Sequence, residues 1–439
     1  MTIKTEDLLT RLDLQTPDVH RRDLIYRGKN PLRFTIDRLD QKMMFSSNLA
    51  RVAVQAVAER LQIEDVSATV KGKDVSARAR ELFRDADLPM LLQSVLADAL
   101  AVGSAYLVVW SDEFDRPTIT GESAEMVAVE RDPITGGVIA AVKRWYIKDA
   151  NGVVTNERIV KYEPTRITHL QRDPGHGKIT FVKAVDNPLG VCPVVPLVNI
   201  DRVGDVAGWS VLDDLEPLLD ALNKLLVDVL VTSESVARPK RYATGVNLED
   251  SDEAEGGFIA DQPEGFTADG TTVEPLEELD PADDPTVQAP FKDSDGLWVS
   301  EQAEAKFGQL AGADMTGYQV AVDLILQQIM AVASLPAHMM GVTTSNPSTA
   351  EALRASEVGL ASSASSRIRV FNRPLEWAIR LMVAIDAGVP PHEVTAKITW
   401  ADTSTASVAQ EADAAVKLHN QQIIDTDEAH RRVTTEKGL

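Results

Sequence analysis

The sequence predicts an α+β fold in which helix dominates, and three observations lead to this prediction. Aromatic residues make up only 5% of the 439 residues, which favours helical packing over a β-sandwich. Aliphatic residues recur at helical spacing in two separate segments, whereas short β-rich runs separated by turn signals lie between Val127 and Arg172. Because a chain of this length exceeds one comfortable core, we expect two to four structural regions.

The first half of the sequence predicts helices that lead into a small sheet. Apolar residues at helical spacing predict an amphipathic helix within Lys42–Ile63. A second helix begins near Pro89 and passes through Gly103 into a strand at Ala105–Trp110. The β-rich runs that follow predict an antiparallel sheet, and we expect the segment VCPVVPLVNI to close it as an edge strand because of its two prolines.

Two later helices each carry a narrow apolar seam. The first follows Gly208 and has Pro217 near its start, so its first turn is expected at about Glu216. The second ends at Leu335-Pro336. Both seams alternate steps of three and four residues, the heptad pattern of helices that pack side by side. The seam residues are Leu212, Leu215, Leu219, Leu222, Leu226 and Val229 in the first helix, and Tyr318, Val322, Ile325, Ile329 and Val332 in the second.

An acidic segment separates the two seams. Arg238, Lys240 and Arg241 form a short basic cluster, after which no Lys or Arg occurs until Lys292. A segment so rich in Asp, Glu, Pro and Gly is either a disordered linker or a compact insertion, and its apolar residues, Trp298 among them, favour the insertion.

The polar loop GVTTSNPSTA precedes a long helix. Ser348 and Glu351 form the S-x-x-E pattern of a helix start. The helix contains Pro374, which should kink it. A strand at AKITWAD and one further helix around Val408–Ile424 complete the chain.

The formal charge of −23 argues against a protein that grips nucleic acid by neutralising phosphates. Either the protein has no nucleic-acid role, or it must let DNA slide without sticking, and composition does not separate these two interpretations.

The single cysteine, Cys192, suits a reducing cytosol and is expected to be a buried small apolar residue. The polar N-terminus and the absence of a long uncharged apolar run predict a soluble protein without a membrane segment.

Motifs for catalysis are missing from the sequence. The Gly-Lys pairs at Gly28, Gly72 and Gly177 lack the remainder of a phosphate-binding loop, and there is no H-E-x-x-H, G-x-S-x-G or C-x-x-C. The seven histidines are scattered and are expected to be structural or exposed. Acidic pairs such as Asp213-Asp214 and Asp283-Asp284 could belong to a two-metal nuclease site. The first pair lies on a predicted helix face and the second in a low-complexity acidic run, and exposure to solvent is the better explanation of acidic residues at such positions. We therefore expect no enzyme, no cofactor and no metal.

Two stretches resemble a known family. They are LGVCPVVPLVN with the following GWSVLDDLEPLLDALNKLLVDVLVTSESVARPKRYATG, and SLPAHMMGVTTSNPSTAEALRASEVGL with the following FNRPLEWAIRLMV. Together with the order of features, they are similar to the portal proteins of tailed bacteriophages, specifically the long-tailed siphovirus type. The stretches cover about half of the chain, and the order of features places the remainder.

The resemblance implies a portal-type subunit with a fixed order of regions. These are an N-terminal wing (1–208), a first stem helix (209–237), a small α/β clip (238–310), a second stem helix (311–335), a tunnel loop (336–350), a long kinked wing helix (351–388) and a helical crown (389–439). It also implies a homododecameric ring at one capsid vertex of the virion, assembled in the host cytoplasm, through which double-stranded DNA passes during packaging and ejection without sequence-specific binding.

The resemblance further implies partners. The clip would face the terminase large subunit and later the head-completion or connector proteins, and the ring would meet the major capsid and scaffold proteins. Candidate clip docking residues are Arg238, Lys240, Arg241 and Trp298. The loop that would project into the channel consists of Gly341, Val342, Thr343, Thr344, Ser345, Asn346 and Pro347. It holds no Lys or Arg, so any contact with DNA there would be steric or polar.

Two other classes of function remain open at this stage. A head-maturation enzyme would need a nucleophile or a metal cluster, and neither is visible in the sequence. A non-catalytic cytosolic scaffold could use the same seams and the same acidity, but it would gain nothing from a polar loop between two long helices.

Overall fold

The computed structural model describes residues 3–30, 46–114, 116–173, 177–237, 241–244, 306–309, 315–341, 350–403, 416–417 and 419–421. Within these residues the fold is mixed α and β. Seven α-helices occur there: α1 (Thr5–Tyr26), α2 (Leu49–Ala58), α3 (Ser76–Asp85), α4 (Leu88–Val102), α5 (Glu216–Ala237), α6 (Thr316–Ala333) and α7 (Ala350–Ala387). Short 3₁₀ turns lie at Ala337–Met340 and Pro391–Glu393.

The strands form four sheets in the described part of the chain. The strands are β1 (Ile63–Val70), β2 (Lys73–Asp74), β3 (Ser104–Ser111), β4 (Pro117–Ser123), β5 (Val127–Arg131), β6 (Val138–Lys148), β7 (Val154–Tyr162), β8 (Arg166–Arg172), β9 (Ile179–Asp186), β10 (Val194–Val198), β11 (Arg241–Thr244), β12 (Lys306–Gln309) and β13 (Val394–Trp400). Their orders are β13-β1-β2, β10-β3-β4, β11-β12 and β5-β6-β7-β8-β9. All pairings are antiparallel.

The main core is built around β3. Every residue from Ser104 to Val109 is buried, which for a pleated strand means that both faces of the sheet are covered. Helices α4 and α7 both pack on this sheet, as expected for helices whose apolar residues need a partner surface. The predicted passage from helix through Gly103 into strand is confirmed, and Gly103 ends α4 with a left-handed φ of 101°.

A smaller core lies between α1 and the five-stranded sheet. Leu8, Leu9 and Leu12 from α1 pack on Val142 and Ile159 of the sheet. The sheet predicted between Val127 and Arg172 is thus confirmed, and β9 extends it by one strand.

Two sequence expectations are corrected, one about a strand and one about a helix. Val194–Val198 does not close the five-stranded sheet; it pairs with β3, where Pro196 faces Tyr106. It is an edge strand, as its prolines predicted. The predicted helix within Lys42–Ile63 is shorter, because Ile63 already begins β1 and pairs with Trp400.

The strand predicted at AKITWAD exists as β13, and it pairs along the whole of β1. This pairing joins the C-terminal part of the chain to the N-terminal part within one sheet, and β13 also packs on α7. Sequence order alone had grouped this strand with the chain end, because an antiparallel partner more than three hundred residues away leaves no local signal.

The chain divides into two compact units, Met1–Val227 with Gly317–Leu439, and Asp228–Thr316. Strands β11 and β12 lie in the described part of the second unit. They pair antiparallel, with Arg241 opposite Gln309 at one end and Thr244 opposite Lys306 at the other.

Cys192 is buried at 3% exposure as predicted, and burial raises the pKa of its thiol to about 12. None of the helices in the described residues is long and apolar enough to cross a membrane.

Candidate assembly surfaces

The start of α5 is fixed by ion pairs to α1. The guanidinium of Arg22 donates to both carboxylate oxygens of Asp213 at 2.9 and 2.6 Å, and Arg21 bonds Glu216. The Glu216 side chain is 7% exposed. Both acidic groups would carry a large desolvation cost without these partners, so the two arginines determine where the first predicted stem helix begins.

The same region caps the C-terminus of α4. Val211 N donates to Leu100 O at 3.1 Å, Ser210 Oγ donates to Ala101 O, and Arg22 donates to Val102 O at 2.8 Å. These carbonyls belong to the last turn of a helix and lack partners within it. The segment before α5 is therefore attached to α4 by main-chain acceptors, which holds the start of α5 in a defined position.

Gly103 and Gly208 make the close approach of these two segments possible. Both have positive φ, and a Cβ built on Gly208 would lie 2.0 Å from Gly103 O. No side chain fits this space, so only glycine satisfies position 208.

The predicted seam of α5 contributes to the main core. Leu212, Leu215, Leu219 and Leu222 are all at most 5% exposed. Leu226 packs against the same core, and Val229 is half-buried. The helix begins at Glu216 with Pro217 in its first turn, as predicted.

The predicted seam of α6 also faces the core, but the helix has a second apolar face. Ile329 is fully buried, and Val322 and Ile325 pack against the core, while Tyr318 is half-buried. Val332, the last residue of the predicted seam, is instead 48% exposed. On the opposite side, Val320 and Leu324 are 66% and 58% exposed. Asp323 is the only charged residue of this helix, so the outward face is unusually apolar for a face in water.

Most of the predicted channel loop and clip residues lie outside the described residues. These are Val342, Thr343, Thr344, Ser345, Asn346 and Pro347 in the loop, and Arg238, Lys240 and Trp298 in the clip. Gly341 is described and has a left-handed φ of 70°. Arg241 begins β11 and pairs with Gln309.

Helix α1 is held on the five-stranded sheet by charges as well as by its leucines. Arg144, 7% exposed, contacts Asp13 at 2.6 Å and Glu157 at 3.8 Å, and Arg172 bonds Glu157 at 2.8 Å. The buried Glu157 carboxylate therefore has two cationic partners, which such a group requires.

A second group of charges lies where α1, α4 and the turn after β4 meet. Burial, and then the carboxylates of Asp23 and Glu125, raise the pKa of Asp98 to about 6, while Arg27 and a hydrogen bond to Ser123 oppose this shift. Asp98 is thus an acidic group whose charge is costly in the folded protein.

The described residues offer no site for a metal ion. No group of three or more His, Cys, Asp and Glu side chains there could hold a metal ion. Asp213, one of the acidic residues considered for a nuclease site, is instead the partner of Arg22.

Sequence reasoning missed the residues that fix the start of α5. The sequence gives no signal for the roles of Arg21, Arg22 and Ser210, and the sequence analysis does not predict α1. The helical spacing of Leu8, Leu12 and Val19 was a signal for α1. The contacts of Arg22 join residues far apart in the chain, so no local pattern could reveal them.

The chain is similar to known proteins over nearly its whole length. The family described as "Phage portal protein, SPP1 Gp6-like" matches residues 7–437. The portal protein of Mycobacterium phage L5 is 26% identical over 413 residues, which cover 90% of this chain and 76% of that protein. The portal protein of Mycobacterium phage D29 is 25% identical over 415 residues, with 89% and 76% covered.

Among solved structures, chains of gene transfer agent particles match this one. A chain in the neck of the empty particle, computed with C6 symmetry, has 13% sequence identity and a TM-score of 0.49, and the alignment covers 95% of this chain and 93% of that one. A chain in the neck of the native particle, computed with C12 symmetry, has 13% identity and a TM-score of 0.45, with 95% and 99% covered.

Proposed function

The chain belongs to the SPP1 Gp6-like family of phage portal proteins, and on that premise we propose that twelve copies form a ring at one capsid vertex. The ring is the channel through which double-stranded DNA enters and leaves the virion. The family match over residues 7–437 is the observation that carries this proposal, since it spans the seamed helices, the acidic segment and the polar loop together.

The outward face of α6 supports assembly between copies. A helix with apolar residues on both sides is normally covered on both sides. Its inner face, with Val322, Ile325 and Ile329, meets the core of its own subunit. Val320 and Leu324 on the outer face then pack against a neighbouring subunit, as in a heterologous ring interface.

The regions of the proposed subunit follow the family order. Residues 1–208 and 351–388 form the wing, 209–237 and 311–335 the stem, 238–310 the clip and 336–350 the tunnel loop. The separate compact unit Asp228–Thr316 supports an independent clip. We place the crown within 389–439, in the chain beyond β13, because β13 is part of a sheet with β1.

The net negative charge of the protein is compatible with DNA that slides through the channel. With a formal charge of −23 per subunit, a ring repels phosphates, and DNA passes without a binding site that would hold it. The loop Gly341–Pro347 contains no charged residue, so its contact with DNA is steric or polar and carries no sequence specificity.

The proposed role needs partners but no catalysis. The clip docks the terminase large subunit during packaging and the head-completion or connector proteins afterwards, and the ring meets the major capsid and scaffold proteins as it is assembled in the host cytoplasm. Arg238, Lys240, Arg241 and Trp298 are the proposed docking residues of the clip. A portal requires neither a cofactor nor a nucleophile.

Deletion of Gly341–Pro347 tests the role of the loop in DNA passage. The deleted protein should still form rings, because the loop lies outside the seams of α5 and α6, but packaged DNA per capsid should fall. Ile134→Ser, a change at a residue 92% exposed in the turn between β5 and β6, is the control and should package normally. Normal packaging by the deletion variant would remove the loop from the mechanism.

A further inference from the structure

The solvent-facing side of α7 carries three arginines. The opposite side is buried through Leu360, Phe371, Leu375 and Ile379. Arg369 and Arg373 are exposed and Arg380 is half-buried. Steps of four and seven residues place all three on one face, roughly 6 and 10 Å apart along the helix axis.

These arginines form no ion pair within the described residues, whereas eleven other arginines do. Ion pairs are formed there by Arg11, Arg21, Arg22, Arg27, Arg60, Arg78, Arg80, Arg116, Arg144, Arg172 and Arg367. In a chain with 67 acidic and 44 basic residues, three arginines on one face that form no ion pair with the described residues are a surface suited to an anionic partner.

Of the three arginines, Arg380 is the one whose free energy a bound partner would lower most. Its Nε is buried and finds no hydrogen-bond acceptor among the described residues, and its guanidinium lies 5.5 Å from the centre of the Trp377 ring. A buried donor that lacks an acceptor costs free energy. Arginine beside tryptophan is also typical of residues that dominate protein interfaces.

The remainder of this face indicates a protein partner rather than a nucleic acid. Toward the N-terminus the same side of α7 continues with Ser362 and with Val358, which is 64% exposed. Glu376 lies on it between Arg373 and Arg380. Phosphates would gain nothing from an exposed valine and would be repelled by a glutamate, whereas a protein surface can bury the first and pair with the second.

We infer that the α7 face of Val358, Arg369, Arg373 and Arg380 binds an acidic surface of a second copy of this chain. This inference rests on the proposed ring. Copies that each carry a charge of −23 repel one another, so a closed ring needs local charge complementarity where neighbours meet. The acidic excess of the neighbour supplies the carboxylates, and planar guanidinium groups can bind them in bidentate geometry.

The test compares the wild type with a variant that carries Arg369→Gln, Arg373→Gln and Arg380→Gln. The fraction of rings is measured by mass photometry over a dilution series, at about 0.1 M and about 0.5 M salt. The Gln variant should dissociate at a protein concentration about tenfold higher than the wild type at the lower salt, and this difference should shrink at the higher salt. Equal dissociation of the two proteins at the lower salt overturns the inference.

Two further variants separate charge from a general loss of fold. Arg166→Gln removes an exposed arginine from β8 and should leave dissociation unchanged. Replacement of the three α7 arginines by lysine keeps the charge but not the bidentate geometry, so it should restore the ring stability in part and dissociate between the wild type and the Gln variant. Thermal unfolding of the Gln variant should stay close to that of the wild type, because these side chains form no ion pair with the described residues of their own subunit and the only cation–π contact they make there is that of Arg380 with the Trp377 ring. If the Lys variant dissociates like the Gln variant, charge complementarity is not the cause and the inference fails.

The design also separates this inference from the proposed ring. If the wild type forms no rings, the proposed function fails and the dissociation comparison cannot be made for any variant. If the rings of the Gln variant are as stable as wild type but lose binding to a labelled DNA duplex, the occupant of this face is nucleic acid, and the inference of a second copy is overturned.

Discussion

Arg22 and Asp213 form a bidentate ion pair that joins the first helix of the chain to the segment immediately before α5, with N–O distances of 2.9 and 2.6 Å. The same guanidinium donates to Val102 O at the end of α4. One side chain therefore links three segments that are far apart in sequence. The first stem helix of the proposed portal subunit begins directly after this link, which stabilises the position of its start.

Arg22→Ala should lower the free energy of unfolding by about 3 kcal/mol, because the Val102 carbonyl loses its side-chain donor and the Asp213 carboxylate loses its bidentate partner. Among the described residues, Asp213 then keeps only Arg21 at 3.7 Å and Ser210 N at 3.3 Å. Urea denaturation followed by circular dichroism measures this loss. Arg27→Ala is the matched control on the same helix, since Arg27 pairs with Asp23 but is 61% exposed, and it should cost less than about 1 kcal/mol. Equal losses in the two variants would contradict a structural role for the Arg22 link.

Gly208→Ala should destabilise the subunit by about 3 kcal/mol or more, because its Cβ would lie 2.0 Å from Gly103 O and its φ is +90°. Gly204→Ala in the same loop is the control. No atom lies within 4 Å of a Cβ at position 204, so that variant should change stability by less than about 1 kcal/mol. The urea midpoints of the two variants, compared with the wild type, give the answer. A Gly208→Ala protein as stable as the Gly204→Ala protein would show that this close approach is absent.

Asp98→Asn should stabilise the protein at neutral pH and lose this effect in acid. The pKa of Asp98 is raised to about 6 in the folded protein, so folding favours the protonated form. The cost of the charge is absent below the unfolded pKa of about 4, grows as pH rises, and is complete above about 6. It amounts to about 2–3 kcal/mol for a carboxyl shifted this far.

Urea midpoints of the wild type and of Asp98→Asn at pH 4 and at pH 7.5 test this. The advantage of the variant should be present at the higher pH and small at the lower. Asp85→Asn, at an exposed position, should change neither midpoint. An advantage of the same size at both pH values would mean that the hydrogen bonds of the new amide, and not the charge of Asp98, determine the effect.

Two leucines in the stem helices should separate folding from assembly. Leu222→Ala, at a residue 1% exposed in the core, should cost about 2–5 kcal/mol of folding free energy. Leu324→Ser, at a residue 58% exposed on the outer face of α6, should leave subunit unfolding nearly unchanged but lower the fraction of rings. Mass photometry measures the second effect and urea denaturation the first. Rings of Leu324→Ser as stable as wild type would remove this face from the interface.

Local patterns in the sequence predicted several of the elements, although not α1, while long-range contacts decided their arrangement. The seam of α5, the position of Pro217 and the step from α4 through Gly103 into β3 were readable because periodicity and turn residues act within a few positions. The pairing of β13 with β1 and the Arg22–Asp213 link were not, since their partners are far away in the chain. Arg369, Arg373 and Arg380 were visible as residues, but only the described fold showed that they form no ion pair there, although Glu376 lies on the same helix face.

The mass and symmetry of the purified protein test the central claim most directly. Native mass spectrometry with negative-stain class averages should show rings of about twelve subunits with a central hole, as heterologous interfaces that close require. A compact dimer or tetramer without a channel would contradict the account of this chain as the wall of a DNA channel.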